Sequence, residues 1–161
     1  MFVRKSVVVL VCVAVVALAI VAGACGGDEN GGDGGGDGGG DDGGDGGSTT
    51  TLDVGLTEFE VAPSISSVPA GSVTFEVSND GAVPHDLQVI STDLAPDQLP
   101  VDPETFTVDT DDLDVVATSG QLDAGESKEV AADLSAGSYV LICNIPTHYE
   151  GGMYTTFTVL Q

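Results

Sequence analysis

Basic residues are almost absent from this chain. Its 161 residues include only 3 Lys and Arg but 26 Asp and Glu, which gives a formal net charge of −23 at pH 7. From Asp53 onward there are 19 acidic residues and a single basic one, Lys128. Nucleic-acid binding requires clustered basic residues, so this composition excludes it. Two explanations of the acidity stay open, attraction to a partner with a basic surface and solubility alone.

Cysteine is equally scarce, with three residues in the whole chain. Cys12 lies in an N-terminal apolar run and Cys25 follows that run, so Cys143 alone is left for a folded domain. A single cysteine cannot form an internal disulfide, and an exposed thiol in an oxidising compartment is readily oxidised. Cys143 is therefore expected either to be buried as a small apolar side chain or to bind a metal.

The N-terminus has the pattern of an export signal. Arg4 and Lys5 precede an apolar run over residues 7–22, and small residues end it. The stretch AGAC at 22–25 resembles a bacterial lipobox, so we predict a lipoprotein signal over residues 1–24 and lipidation of Cys25. A plain secretion signal and an uncleaved anchor are the alternatives, since the run is close to the minimum length of a membrane span. All three place the remainder outside the cytoplasm.

A Gly- and Asp-rich segment follows the signal. Residues 26–47 read GGDENGGDGGGDGGGDDGGDGG and offer no apolar surface to bury. We predict a disordered linker over residues 25–50. A flexible chain of this kind spans roughly 25 Å, and repulsion between its acids extends it further. The segment is thus expected to tether a domain at a distance from the membrane.

The remaining residues, 51–161, have the length of one domain and a two-residue periodicity. Leu52, Val54 and Leu56 alternate with smaller or polar residues, as expected for a strand with one buried face. Further runs of strand-forming residues occur at 73–78, 139–144 and 155–160. Turns rich in Gly and Pro separate the runs, which predicts an all-β Greek-key sandwich. We expect residues 91–119 to form an irregular excursion on one side, with a short helix as one option.

Only two histidines occur in the chain, and each is near a predicted loop. His85 opens an apolar run that follows a Gly- and Pro-containing turn. Cys143 ends a predicted strand, and His148 and Met153 lie in the loop after it. Two loops at the same end of a sandwich would bring these four side chains together.

These four side chains form a ligand set suited to copper. Two imidazoles and a thiolate in a trigonal plane, with a weak axial thioether, support a blue-copper electron-transfer site. Zinc would require a stronger fourth donor or a water position, and an iron–sulfur cluster would require more cysteines. Each residue alone also has an ordinary explanation, such as a surface histidine or a core thiol. Their scarcity, order and spacing together predict one mononuclear copper site formed by His85, Cys143, His148 and Met153.

Around these residues the chain resembles the cupredoxins, the small blue copper proteins. The resemblance covers VSNDGAVPHDLQVI at 77–90 and LDAGESKEVAADLSAGSYVLICNIPTHYEGGMYTTFTV at 122–159. The Cys-x4-His-x4-Met spacing is similar to that of the auracyanin and rusticyanin subgroups. The resemblance implies an eight-stranded sandwich, copper ligation by the same four residues and transfer of single electrons. It also implies an apolar patch around His148, for which the candidates are Ala82, Val83, Pro84, Ile145, Pro146 and Gly152.

One pair of positions departs from the cupredoxin pattern. Many cupredoxins have Asn after the first histidine ligand, and its side chain ties that loop to the residue after the cysteine. Asp86 and Asn144 occupy these positions here. An Asp acceptor facing an Asn amide would make the same tie and would orient the ligands from outside the metal site. The added negative charge would favour Cu(II) and lower the reduction potential.

We therefore predict a monomeric, extracytoplasmic electron carrier and not an enzyme, because no histidine is left for a catalytic copper. Its partners would be redox proteins of a membrane electron-transport chain, with basic docking surfaces as one option. A copper storage or delivery module is the first alternative, which the scarcity of Met disfavours. A metal-free cupredoxin-like binding domain is the second, which the complete ligand set disfavours.

Overall fold

The computed structural model describes residues 49–161, so the predicted signal peptide, Cys25 and nearly all of the predicted linker lie outside the described residues. These 113 residues hold no helix that is long and apolar enough to cross a membrane. They form eleven β-strands: β1 (Thr50–Thr57), β2 (Glu60–Pro63), β3 (Ser67–Pro69), β4 (Gly71–Asn79), β5 (Gln88–Ser91), β6 (Val101–Asp102), β7 (Thr107–Val108), β8 (Asp114–Thr118), β9 (Ser127–Leu134), β10 (Gly137–Ile142) and β11 (Tyr154–Leu160).

Two sheets form a β-sandwich. One sheet has the strand order β2-β1-β4-β9 and the other has the order β3-β11-β10-β5-β8. The pairs β1–β4 and β3–β11 are parallel, and the other pairs in these sheets are antiparallel. Neighbouring strands that are distant in sequence require the chain to cross between sheets, as in a Greek key. The predicted all-β sandwich is confirmed, with more strands than the eight that the resemblance implied.

The two-residue alternation places one face of each sheet in a common core. Leu52, Val54 and Leu56 are all buried on the inner face of β1. From the facing sheets, the rings of Phe75 in β4 and Phe157 in β11 lie with their centroids 5.8 Å apart. Burial of each such side chain stabilises the fold by about 1.5–3 kcal/mol. The core therefore joins the strands from which the metal-site loops emerge.

Strand β10 is an exception, because residues Tyr139 to Ile142 are buried on both faces. Tyr139 and Leu141 belong to the main core, whereas Val140 and Ile142 belong to a second cluster. That cluster has six buried members, namely Ile90, Leu99, Val108, Val140, Ile142 and Tyr149. The segment 91–119 thus covers the outer face of the five-stranded sheet.

The segment 91–119 is more regular than its sequence indicated. It contains the small sheet β6–β7 and the strand β8, which pairs with β5 at the edge of the five-stranded sheet. The short helix considered for this segment is absent. Most of its Asp and Pro residues lie between the strands, while Leu99 and Val108 are buried in the second cluster. The cause is tertiary packing, because the apolar outer face of β10 is buried by residues of this segment.

Candidate metal centre

Two segments carry the four predicted ligands. The first segment, residues 79–87, joins β4 to β5 and contains His85. The second segment, residues 143–153, joins β10 to β11 and contains Cys143, His148 and Met153.

A buried asparagine holds the first segment. The Asn79 side chain donates to the carbonyls of Val83 (2.8 Å) and Leu122 (2.9 Å), and it accepts from the backbone N–H of Gly81 (3.0 Å). His85 and Leu122 also exchange two backbone hydrogen bonds, at 3.1 and 2.7 Å. The imidazole of His85 is therefore presented from a backbone with little freedom, and it is completely buried.

The second segment leaves the sheet at Cys143 and returns at Met153. The backbone N–H of Cys143 donates to the carbonyl of Met153 (3.0 Å), which closes the base of the loop. Within it, the N–H of His148 donates to Ile145 (3.0 Å) and the N–H of Met153 donates to His148 (3.1 Å). Cys143 and Met153 are fully buried, and His148 is partly exposed.

The three strong donor atoms form a nearly equilateral triangle. The Nδ1 atoms of His85 and His148 are 3.1 Å apart, and the Cys143 Sγ lies 3.7 Å from the first and 3.5 Å from the second. The circle through three points at these separations has a radius of about 2.0 Å. Metal–imidazole bonds measure roughly 2.0–2.1 Å and metal–thiolate bonds about 2.3 Å. The triangle therefore fits a single metal ion in its plane.

When no metal is present, burial favours the uncharged forms of His85 and Cys143. Burial lowers the pKa of His85, and the neighbouring His148 lowers it further. Burial raises the pKa of the Cys143 thiol to about 12, against the effect of a backbone N–H from Asp86 that lies 3.4 Å from Sγ. A metal ion would have to displace the thiol proton, so its binding would be coupled to proton release.

Comparison with known proteins identifies the family. A sequence model of the sulfocyanin (SoxE) domain matches residues 63–161. The chain belongs to the sulfocyanin domain family. A search of curated protein sequences found no match.

Solved cupredoxins share the fold of this sulfocyanin domain. Dithionite-reduced auracyanin from Roseiflexus castenholzii superposes with a TM-score of 0.52 at 24% identity, over 70% of this chain and 98% of that one. Auracyanin A from Chloroflexus aurantiacus gives 0.51 at 22% identity, over 70% and 100%. Reduced rusticyanin gives 0.51 at 21% identity, over 70% and 79%. The resemblance to the cupredoxins is thus confirmed, and the predicted cofactor, one mononuclear copper ion, agrees with this family and with the donor triangle.

Asp86 joins the two segments of the sulfocyanin domain through a backbone donor. Its carboxylate accepts from the backbone N–H of Asn144 at 2.6 Å and not from the side-chain amide. The Asn144 amide instead pairs with the backbone of Val108, from which it accepts at 2.7 Å and to which it donates at 3.1 Å. Sequence patterns could not show this, because β7 lies more than thirty residues away.

The segment 91–119 holds the second segment at two further points. The carbonyl of Phe106 accepts from the N–H of Thr147 at 2.8 Å. The buried Tyr149 hydroxyl donates to the carbonyl of Pro96 (2.8 Å) and accepts from the N–H of Leu99 (3.0 Å). Sequence reasoning overlooked Tyr149, although a tyrosine between two predicted ligands is a side chain that requires a hydroxyl partner when buried.

Most residues of the predicted apolar patch around His148 lie at the surface. Of the predicted patch, Ala82, Val83, Pro84 and Pro146 are exposed, whereas Ile145 and Gly152 are only partly exposed. Two aromatic side chains that the sequence did not indicate extend it. Phe59 is 61% exposed beside Gly151, and Phe106 is 49% exposed beside Thr147.

Proposed function

We propose that this sulfocyanin domain is a blue copper electron carrier. His85, Cys143 and His148 would hold one copper ion, and Met153 would supply a fourth, weaker donor. The observation that carries the proposal is the triangle of two Nδ1 atoms and one Sγ, with edges of 3.1–3.7 Å. A copper ion in such a set supplies a one-electron Cu(I)/Cu(II) couple.

The burial of the ligands supports electron transfer without substrate binding. His85, Cys143 and Met153 have no measurable solvent exposure, and only His148 reaches the surface. No histidine remains in the chain for a second, catalytic metal. A closed site of this kind favours a carrier over an enzyme.

The residues around the ligands would keep the geometry similar in both oxidation states. Asn79 anchors the first segment, Asp86 links the two segments, and Tyr149 anchors the second segment. A geometry that the protein imposes in advance reduces the rearrangement that accompanies each electron. The same contacts would hinder release of the ion, which disfavours a delivery role.

We further propose that electrons enter and leave at the His148 edge, within the apolar surface around it. The acidic character of the domain, with Lys128 as its one basic residue, would steer partners that carry basic docking surfaces. Redox proteins of a membrane electron-transport chain are the partner class that fits this chemistry.

The location of the domain is also a proposal, supported by the sequence. Residues 1–24 would be a lipoprotein signal, Cys25 the lipidated residue and residues 25–50 a tether to a domain over 51–161, outside the cytoplasm. Tethering would raise the local concentration of the monomeric domain near membrane partners.

A colour test decides the proposal. Addition of Cu(II) to the purified full chain should produce an intense blue thiolate-to-copper charge-transfer band, which ascorbate bleaches and reoxidation restores. Cys143→Ser should abolish the band, and Cys25→Ser, the matched control, should keep it. Copper binding without the band would contradict the proposal. Rapid transfer of Cu(I) to a chelator would support delivery in its place.

A further inference from the structure

The turn between β1 and β2 contacts both ligand-bearing segments. Glu58 in this turn accepts hydrogen bonds from the backbone N–H groups of Ala82 (2.6 Å) and Val83 (3.1 Å) in the first segment. The ring of its neighbour Phe59 lies on Gly151 of the second segment, where a β-carbon would be only 2.5 Å from the ring. The turn thus spans the end of the sandwich at which the ligands meet.

The backbone conformation of Phe59 in this turn is one that non-glycine residues rarely adopt. Phe59 has φ = 69°, in the left-handed region that non-glycine residues rarely adopt. Such a conformation persists where the surroundings impose it. Here Glu58 and Phe59 form the two-residue turn between the paired residues Thr57 and Glu60, a geometry that requires a positive φ, and the turn places the Glu58 carboxylate on the first segment.

Glu58 also lies close to the ring of His85. The Nε2 atom of His85 is buried without a hydrogen-bond partner. A β-carbon on Gly81 would be 2.9 Å from this Nε2 and 3.0 Å from both carboxylate oxygens of Glu58. Those distances place the carboxylate within about 6 Å of Nε2, on opposite sides of the space where a side chain at position 81 would begin. Any larger residue at position 81 would force the two groups apart.

The charge of Glu58 is not neutralised by the basic residue of the described chain. The hydrogen bond from Ala82 is the main cause that lowers the pKa of Glu58, so the carboxylate is ionised at neutral pH. The Lys128 ammonium instead donates a hydrogen bond to the carbonyl of Ser119. The groups that the structure places beside the Glu58 carboxylate are the backbone N–H groups of the first segment and the ring of His85.

We propose that Glu58 is a positioning residue for His85 and that its negative charge lowers the reduction potential of copper held there. The inference rests on the proposed function. A negative charge near a ligand ring stabilises the more highly charged Cu(II) state over Cu(I). The two backbone hydrogen bonds fix the loop from which that ring projects.

Glu58→Gln separates charge from position, because the Gln carbonyl still accepts from Ala82 and Val83. In the copper-loaded full chain, this variant should have a higher midpoint potential than the wild type. Glu60→Gln removes the same charge two residues away and is the matched control. We expect a shift for Glu58→Gln at least about two-fold that of the control, decreasing as salt screens this exposed group. Equal shifts in the two variants would overturn the electrostatic part.

Glu58→Ala tests the positioning part without copper. In the copper-free full chain, the amide resonances of Ala82 and Val83 and the ring resonances of His85 should move, whereas Glu58→Gln should leave them near their wild-type values. Glu58→Asp, with a shorter reach, provides the same readout if the Ala variant does not fold. Unchanged resonances would overturn the positioning role. Because this measurement needs no metal, it stands even if the wild type forms no blue site, a result that would refute the proposed function instead.

Discussion

The two ligand-bearing segments are held in different ways. The first segment carries one candidate ligand and is fixed mainly by its own buried residue Asn79 and by the backbone pairing of His85 with Leu122, with Glu58 bonding its exposed side. The second segment carries three ligands and is fixed from outside, since Asn144, Thr147 and Tyr149 bond to residues of 91–119.

The difference lies in where each segment finds its hydrogen-bond partners. The first segment stays beside β4 and the residues before β9, so one amide can reach backbone partners on both sides. In the second segment, the side chains of Asn144 and Tyr149 and the backbone N–H of Thr147 have their partners outside the two sandwich sheets. The segment 91–119 supplies these partners and covers the apolar outer face of β10 at the same time.

Removal of the internal anchor should have the largest effect. Asn79→Ala deletes three hydrogen bonds and leaves two carbonyls without that donor, so we expect the free energy of unfolding of the copper-free chain to fall by about 2–4 kcal/mol. Urea denaturation measures it. Asn144→Ala, at a less buried site, should cost about half as much; equal losses would show that the two segments are anchored alike.

Removal of one external anchor should have a smaller effect. Tyr149→Phe keeps the ring but deletes the bonds to Pro96 and Leu99, so we expect a loss of about 1–3 kcal/mol in the free energy of unfolding and faster loss of copper to a chelator. Tyr139→Phe is the control, because its hydroxyl binds Ser135 at the other end of β10. If both variants lose copper at the same rate, the segment 91–119 does not stabilise the site.

The buried thiol of the second segment should make the copper-free fold sensitive to alkali. The pKa of Cys143 is raised from 9.0 to about 12, so the folded state favours the protonated thiol. Its stabilising effect is complete below about pH 9 and is lost as the pH rises toward 12, by at most about 1.4 kcal/mol per pH unit. Thermal unfolding across this range measures the slope. A Cys143→Ser chain with the same slope would assign it to other groups.

Neutralising the link between the two segments should have the smallest effect. Asp86→Asn keeps an acceptor for the backbone N–H of Asn144 but removes a charge beside the ligands. We expect a rise in the reduction potential on the order of tens of millivolts, since about 59 mV corresponds to a tenfold change for one electron. Glu150→Gln, at an exposed acid of the second segment, is the control. A potential that is unchanged or lower in Asp86→Asn would contradict the expectation.

The strands and the residues whose donor atoms meet could be predicted, whereas the contacts around those residues could not. Alternation in Leu52, Val54 and Leu56 indicated β1, because a half-buried strand requires a period of two. The two histidines and Cys143 were identified by their scarcity and chemistry. Asn144 was expected to bind Asp86 through its amide, but that amide binds Val108. Nothing local to Asn144 distinguishes the two partners.

The amino-acid sequence by itself determined the fold class, the order of the four candidate ligands and the acidic charge, because periodicity and side-chain chemistry are local properties. Only the tertiary structure decided which groups surround the ligands. Glu58 lies near His85, and Tyr149 bonds to Pro96, although more than twenty residues of chain separate the members of each pair. Such pairings depend on how the two sheets and the segment 91–119 pack, and packing is a property of the whole domain.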